Sequence, residues 1–346
     1  MTHPILIPRS AKPADWPEIS SAFHDLTYEQ SLTYAQAAAN RIGAQARFLC
    51  LEDAQGTPVA AACLRIKQVP VLNRGVAWIA AGPLTCRHDH ARPDPVRLQA
   101  ILAALRDHVH EDGHVLRLRF PAPALHDTEA LTDLALREGF APTDHSPPYQ
   151  TVLIDLETDE EALMKALHGK WRNPLRNALK AGLELETGPI AALSKRFHVL
   201  YEQVQAVKGF RPNIPPEFYY PLSGPDFDHE VLIARKDGAD VGAMTIGHAG
   251  SNAIYLFGAT TDAGRGLNAG HYLMWQAMLH CRARGAKYLD LGGIDPDMNP
   301  SVTRFKQRTG GMDVTAPGPY EAWPKGLTGR LIGLAETLHG KLKGKA

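Results

Sequence analysis

Positively charged side chains gather in one short stretch of this sequence, HGKWRNPLRNALKAGLELE, at positions 168–186. Four cations precede its first acidic residue: Lys170, Arg172, Arg176 and Lys180. The whole chain has 37 basic and 37 acidic residues, so this surplus is local. Asn173 and Pro174 are typical of a helix N-cap and first helical position, which predicts a helix start here. A substrate phosphate or an RNA backbone would meet cations and free backbone amides at such a start. The alternative is a solvated basic face.

A second group of cations follows a predicted strand that ends at Asp290. Arg304, Lys306 and Arg308 alternate along RFKQR, and the pair Gly310-Gly311 then lets the chain turn sharply. Two cationic segments around one α/β unit predict a polyanionic ligand, such as a nucleotide diphosphate or the end of a tRNA.

The turn TTDAGRGLNAGHYL at 260–273 joins a predicted strand to a predicted helix. Such turns bind phosphates through free N–H groups and the helix dipole. This one resembles the acetyl-CoA pyrophosphate loop of the GNAT acyltransferases, with Arg265, Asn268 and Gly270 at its three positions. An asparagine stands where that pattern has its middle glycine, and a structural turn is the alternative.

The sequence repeats one series of elements with an offset of about 175 residues. Apolar runs with turn residues predict a hairpin at 46–68 and another at 229–249, each followed by one more strand. A helix then ends at Gly113 in the first copy and at Gly285 in the second, and a strand follows. Hairpin, strand, helix and strand, repeated, predict two α/β units with mixed sheets.

Three segments carry a resemblance to the FemA/FemB aminoacyltransferases: KWRNPLRNALKAGLELE, HYLMWQAMLHCRARGAKYLDLGGI and RFKQRTGG. The resemblance covers most of 155–324, and extends loosely over 15–150 through TYEQSLTYA and AAGPL. It implies an α/β fold of two tandem GNAT-like domains, each a mixed β-sheet flanked by helices. We place the first domain at 1–155 and the second, which carries most of the substrate site, at 156–324.

The resemblance also implies a reaction, the transfer of an amino acid from aminoacyl-tRNA to an amine on a cell-wall precursor that carries a nucleotide or lipid diphosphate. By the same resemblance, Lys306 contacts the diphosphate, Tyr255 matches the family's strand tyrosine, and Arg211 contacts substrate. We expect Tyr255 or a backbone amide to assist at the carbonyl. Asp290 is a candidate base or a structural strand-end residue. The predicted substrate contacts are Lys170, Arg172, Arg176, Arg211, Arg304 and Phe305.

Two alternatives to this function remain open from the sequence. Related two-domain GNAT proteins use acyl-CoA, so the donor could be acyl-CoA and the acceptor an amino sugar or small amine. The second alternative is a protein that binds the precursor without catalysing a reaction. No tightly bound cofactor is expected, and the 16 histidines show no metal-ligand spacing.

Composition and the segment 325–346 bear on location. The four cysteines lack paired spacing and no long apolar run is present, which favours a reduced, cytoplasmic protein. The segment 325–346 reads as a basic amphipathic tail, with five Lys or Arg residues, one Glu and a stripe of apolar residues. The stripe consists of Leu327, Leu331, Leu334, Ala335, Leu338 and Leu342. Gly329, Gly333, Gly340 and Gly344 each weaken such a helix by roughly 1 kcal/mol. The tail either contacts the inner face of the membrane peripherally or packs back on the protein.

Overall fold

The computed structural model describes residues 4–69, 72–89, 93–122, 128–208 and 213–343. The chain forms two units, Met1–Tyr149 with Thr315–Ala346 (unit 1) and Gln150–Val314 (unit 2).

Unit 1 begins with six strands and four helices. The strands are β1 (Ile7–Ala11), β2 (Gln45–Glu52), β3 (Pro58–Val69), β4 (Arg74–Ala80), β5 (Val115–Arg119) and β6 (Ala141–Pro142). The helices are α1 (Trp16–Ser21), α2 (Leu32–Arg41), α3 (Pro95–Glu111) and α4 (Thr128–Arg137). A short 3-10 turn, Tyr28–Gln30, precedes α2.

Unit 2 has seven strands and six helices in its described part. The strands are β7 (Gln150–Asp155), β8 (Glu184–Pro189), β9 (Asp228–Lys236), β10 (Ala239–Ala249), β11 (Asn252–Thr260), β12 (Tyr288–Asp290) and β13 (Met312–Thr315). The helices are α5 (Glu160–Ala166), α6 (Gly169–Lys180), α7 (Ile190–Lys208), α8 (Asp262–Gly266), α9 (Ala269–Ala283) and α10 (Pro300–Gln307). The chain then returns to unit 1 as β14 (Tyr320–Ala322) and α11 (Leu327–Lys343).

Each unit is built on one mixed sheet of seven strands. The orders are β1-β2-β3-β4-β5-β14-β6 in unit 1 and β13-β7-β12-β11-β10-β9-β8 in unit 2. β4 and β5 run parallel, as do β11 and β12, and the preceding hairpins are antiparallel in both units. The predicted fold of two tandem mixed-sheet units, each repeating hairpin, strand, helix and strand, is confirmed.

Apolar faces of helices close the cores as the sequence periodicity indicates. In unit 1, α3 buries Leu98, Ile101, Leu102 and Leu105 against the sheet, and Asp94 caps it by accepting a hydrogen bond from the Arg97 N–H at 2.8 Å. In unit 2, α9 buries a comparable stripe, and α7 covers the other face with Ile190 and Phe197. Burial of these apolar faces is the main stabilising contribution.

The division of the chain differs from the predicted domain boundaries of 155 and 324. Unit 2 begins at Gln150, because β7 pairs with β12. Residues 315–324, predicted within the second domain, belong to unit 1, because β14 pairs with both β5 and β6. Unit 1 is therefore discontinuous in sequence. Local patterns of apolar residues do not encode which sheet a short strand joins.

The TYEQSLTYA segment supplies a structural bridge. The Gln30 side chain is fully buried, its Nε2 donates to the Ala80 carbonyl at 2.6 Å, and its Oε1 accepts from the Cys63 N–H at 2.7 Å. Gln30 therefore satisfies one backbone group of β3 and one of β4 where these strands do not pair with each other.

Replacing Gln30 by Ala is expected to destabilise unit 1. The change leaves the Cys63 N–H and the Ala80 carbonyl buried without their partner, at a cost of about 2–4 kcal/mol. Urea unfolding measures this change in the free energy of unfolding. Gln45→Ala, at an exposed position of β2, is the matched control and is expected to change it by less than about 0.5 kcal/mol. Equal stability of the two variants would contradict the bridging role.

An ionic cluster around the buried Glu230 joins β9, β10 and α9 in unit 2. Glu230 Oε1 accepts from His248 Nε2 at 2.6 Å and from His280 Nε2 at 2.8 Å, and Arg284 Nη1 lies 3.0 Å from it. Burial by itself raises the pKa of Glu230. The hydrogen bonds and charges of His248 and His280 outweigh it, so the pKa lies well below its ordinary value.

Candidate functional site

Lys306 is a buried cation in unit 2. It lies near the end of α10 with a relative exposure of 6%, and its Nζ donates to the carbonyls of Gly292 at 3.2 Å and Gly293 at 2.9 Å. These carbonyls follow the end of β12, where the parallel pairing with β11 has stopped at Ile254 and Asp290. The ammonium group is therefore held where the two central strands of the sheet diverge.

The Tyr255 ring faces this ammonium group. Lys306 Nζ lies 5.4 Å from the ring centroid, within the range of a cation–π contact. Burial raises the pKa of Tyr255 to about 12, and Tyr201 adds to the shift. The phenol therefore keeps its proton at neutral pH and is able to donate a hydrogen bond.

A β-bulge in β11 sets the direction of the Tyr255 side chain. Thr245 pairs with Phe257 and Ile246 with Tyr255, so Leu256 is an extra residue. An extra residue reverses the alternation of side chains. Tyr255 accordingly packs beside the core under α9, whereas Phe257 packs beside the core under α7.

Asp290 orders the turn that carries the two carbonyls. Its Oδ1 accepts from the Gly292 N–H at 2.7 Å and from the hydroxyl of Thr151 on β7. Gly292 has a φ of +73°, and a Cβ there would lie 2.8 Å from the Tyr255 carbonyl oxygen. Only glycine fits this position without strain. Asp290 therefore positions the groups that hold Lys306, which agrees with its structural interpretation.

The pKa of Lys306 reflects its surroundings. Burial lowers it from 10.5 to about 8, and the negative charge of Asp290 acts in the opposite direction. Most molecules keep this charge at neutral pH and lose it as the pH rises above about 8. A cation that is largely removed from water interacts strongly with an anion that reaches it.

The start of α6 differs from the prediction. The helix begins at Gly169, because His168 caps it by accepting from the Lys170 N–H at 3.1 Å, and Pro174 lies within the helix. The predicted start at Asn173 and Pro174 is therefore wrong. A proline six residues into a helix leaves only the carbonyl four residues earlier without its partner. Histidine is an uncommon N-cap residue, whereas a proline is a common marker of the first helical position, so the sequence pattern favoured the later start.

Of the cations predicted on this segment, Lys170 and Arg176 are exposed on α6. Arg172 differs, because its Nη2 donates to the carbonyls of Lys165 and Leu167, each at 2.7 Å. These are carbonyls at the end of α5, where a cation stabilises the helix. The structure thus places Arg172 as a helix cap, and its contact with substrate stays a prediction.

Phe305 and Arg304 flank Lys306 but face elsewhere. The Phe305 ring packs against Trp171 on α6 and His271 on α9, with centroid distances of 5.6 Å and 5.1 Å. This packing fixes α10 against the two helices, and the contact of Phe305 with substrate stays a prediction. Arg304 is exposed and, two residues from Lys306, points to a different side of α10. Arg211, predicted to contact substrate, lies outside the described residues.

The 260–273 turn contains a helix that the sequence prediction missed. Thr261 caps α8 by accepting from the Gly264 N–H at 3.1 Å. Arg265, within α8, pairs with Asp262 and donates to the Thr260 carbonyl. Asn268 has a φ of +57° and its side chain does not cap α9; a Cβ at Gly270 would make only an ordinary contact. The guanidinium of Arg265 is thus engaged within its own turn.

Three residues of this site were missed from the sequence: Thr151, Gly292 and Gly293. The Gly-Gly pair after Asp290 was the available signal for the last two, because it marks a close approach of backbone. No local sequence signal marked Thr151, because it comes from a strand about 140 residues earlier than Asp290. Among the described residues, no cluster of three or more His, Cys, Asp or Glu is arranged to bind a metal ion.

Comparison with known proteins agrees with this geometry. Residues 169–307 match the family model for the acetyltransferase (GNAT) domain, and this range holds α6, Tyr255, Asp290 and Lys306. A lipid II:glycine glycyltransferase of Staphylococcus haemolyticus (strain JCSC1435) is 25% identical over 227 residues, which are 60% of this chain and 52% of that protein. The crystal structure of FemX superposes with a TM-score of 0.75 at 16% identity, over 91% of this chain and 96% of FemX. By these matches the chain is similar to the FemA/FemB-like proteins.

A second solved structure supports the fold of this chain. A conserved protein of unknown function from Bacteroides thetaiotaomicron VPI-5482 has a TM-score of 0.59 at 10% identity, over 92% of this chain and 99% of that one. The chain spans about half the length of the curated glycyltransferase that it matches. In the part of the chain that the structure describes, no helix has the length and apolarity to cross a bilayer.

Proposed function

We propose that this FemA/FemB-like chain is an aminoacyltransferase that moves an amino acid from aminoacyl-tRNA to an amine on a cell-wall precursor bearing a nucleotide or lipid diphosphate. The observation that carries the proposal is the buried Lys306 ammonium beneath Tyr255, at the diverging strands of a GNAT-like unit. The relative named as a lipid II:glycine glycyltransferase supports the same reaction class.

The reaction is a direct attack of the amine on the ester carbonyl of the donor. A C–N bond forms, the C–O bond to the ribose of the tRNA breaks, and the proton leaving the amine balances the one gained by the ribose oxygen. Correct placement and a polarised carbonyl accelerate this step without a covalent enzyme intermediate. Tyr255, protonated at neutral pH, is assigned to the carbonyl oxygen, and Lys306 is assigned to the diphosphate of the acceptor.

The remaining cations fit the same assignment as contacts for a polyanion. Lys170, Arg176 and Arg304 are exposed and are proposed to meet the backbone of the donor or the phosphates of the acceptor. Arg211 is proposed as a further substrate contact.

A second donor is favoured by one observation. The matched family model describes an acetyltransferase domain, so acyl-CoA is the alternative donor. In that case Arg265, Asn268 and Gly270 would serve as its pyrophosphate loop, and Arg265 would first have to leave Asp262.

The donor is tested by offering the full chain each candidate separately. Bulk tRNA charged with a mixture of amino acids, or acetyl-CoA, is combined with a nucleotide-linked or a lipid-linked muramyl-peptide precursor, and product masses are recorded. We expect an amino-acid mass increment on a precursor in the charged-tRNA reactions and none with acetyl-CoA. Acetyl transfer alone would replace the proposal by the acyl-CoA alternative. No product, together with measurable precursor binding, would support a non-catalytic binding protein.

A further inference from the structure

The helix α11 is fixed to unit 1 through one of its faces. Ile332 is fully buried, and both carboxylate oxygens of Glu336 accept from Arg117 on β5, at 2.9 Å and 2.8 Å. At the start of the helix, Arg74 donates to the Thr328 hydroxyl at 2.9 Å. The packing alternative for the 325–346 tail is therefore present in the structure.

One glycine permits this attachment. A Cβ at Gly329 would lie 2.5 Å from the Pro324 carbonyl oxygen, whereas one at Gly333 would make only an ordinary contact, 3.6 Å from the Trp323 ring. Gly329 in particular brings the helix backbone closer than any other residue would allow. The loss of helix propensity at this glycine is offset by close packing.

The opposite face of α11 carries leucines that contact solvent. Leu327, Leu331 and Leu334 have relative exposures of 76%, 47% and 62%. At about 100° per residue they form one stripe, roughly opposite Ile332 and Glu336. Every other helix in the described part of the chain presents at most one exposed large apolar residue. The stripe is therefore a distinct surface feature.

Basic residues accompany this stripe. Lys325 precedes the helix and Arg330 lies within it, and both are exposed. The only acidic residue of the segment, Glu336, is paired with Arg117 on the attached face. The solvent side of the helix thus combines apolar and cationic groups, and the segment itself contributes no acidic side chain there.

We infer that the outer face of α11, formed by Leu327, Leu331 and Leu334 with Lys325 and Arg330, binds the surface of an anionic bilayer. An amphipathic helix of this composition inserts its apolar stripe at the headgroup boundary while its cations pair with acidic lipids. A second copy of this surface is a poorer occupant, because it would bring like charges together. Since α11 is fixed by Ile332 and Glu336, the bilayer would also fix the orientation of unit 1.

Co-sedimentation of the full chain with lipid vesicles tests this inference. At low salt, wild-type protein is expected to pellet with phosphatidylglycerol-containing vesicles and to remain in solution with pure phosphatidylcholine vesicles. The triple variant L327S/L331S/L334S is expected to bind the anionic vesicles about tenfold more weakly, because it removes the apolar stripe. These side chains are exposed, so the fold is expected to persist, which thermal unfolding by circular dichroism verifies.

The matched control is L136S/L179S/V199S, which changes three residues of similar exposure, at 48%, 43% and 53%, on three other helices. It is expected to bind the vesicles as wild type does. Absence of wild-type binding, or equal binding by the stripe variant, would overturn the inference. If the wild-type protein formed dimers in the absence of lipid and the stripe variant did not, the surface would be assigned to a second copy instead. The assay contains no donor or acceptor, so its failure is separable from failure of the proposed function.

Discussion

Replacing Lys306 by Ala is expected to lower kcat/KM for the precursor about 30-fold or more. The variant removes a buried cation assigned to the diphosphate, and truncating one partner of a desolvated, hydrogen-bonded charge pair costs about 2–5 kcal/mol. Steady-state kinetics with the nucleotide-linked precursor measure this loss, and most of it should appear in KM. The variant is expected to stay folded, because burying a cation opposes folding.

The control for this prediction is Lys287→Ala. Lys287 is partly exposed and lies 3.5 Å from Glu157, so its loss is expected to change kcat/KM less than twofold. The pH dependence gives a second check. Because the pKa of Lys306 is about 8, kcat/KM of the wild-type protein should fall as the pH rises through 8, and Lys306→Ala should lack this fall. Unchanged turnover by Lys306→Ala would contradict the assignment.

Glu230→Ala is expected to lower the free energy of unfolding of unit 2 by about 3–5 kcal/mol. The carboxylate is the common partner of His248, His280 and Arg284, so its removal leaves the buried imidazole of His248 and the partly buried one of His280 without their acceptor. Urea unfolding followed by circular dichroism measures the change. Glu157→Ala, at an exposed ion pair, is the control and is expected to change stability by less than about 1 kcal/mol.

The Glu230 carboxylate should also make the free energy of unfolding sensitive to acid. Its pKa is held below the ordinary value of 4.5, so its stabilisation is complete above about pH 4.5 and is lost as the pH falls below that value. Wild-type stability should therefore decrease more steeply below pH 4.5 than that of Glu230→Ala. Parallel pH profiles for the two proteins would contradict the role of Glu230.

Local patterns were enough to predict the repeated elements. The turn residues of the hairpins and the glycines that end α3 and α9 act over a few residues, so one sequence reveals them. The helix predicted at 94–113 is observed as Pro95–Glu111. The family resemblance also named Tyr255 and Lys306, and the predicted strand end named Asp290; the structure brings the three into one neighbourhood.

Features that depend on distant partners were not predictable. The Thr151 hydroxyl reaches Asp290 because β7 and β12 are neighbours, and the bulge at Leu256 exists only relative to β10. Arg172 and Phe305 look like ligand contacts in a linear motif. Their actual partners are helix carbonyls and aromatic rings, which become visible only when α5, α6 and α9 are packed.

The discontinuity of unit 1 has a consequence for the order of events during synthesis on the ribosome. Unit 2 is complete once residue 314 has been made. The free edge of β5 is covered only when β14 has been synthesised, about 200 residues after β5. Until then β5 presents unpaired backbone groups, and Arg117 lacks both Glu321 and Glu336. Unit 2 is therefore expected to acquire protease resistance on the nascent chain before unit 1, although unit 1 begins first. During that interval the exposed edge of β5 is the part of the nascent protein most open to mispairing and to chaperone binding.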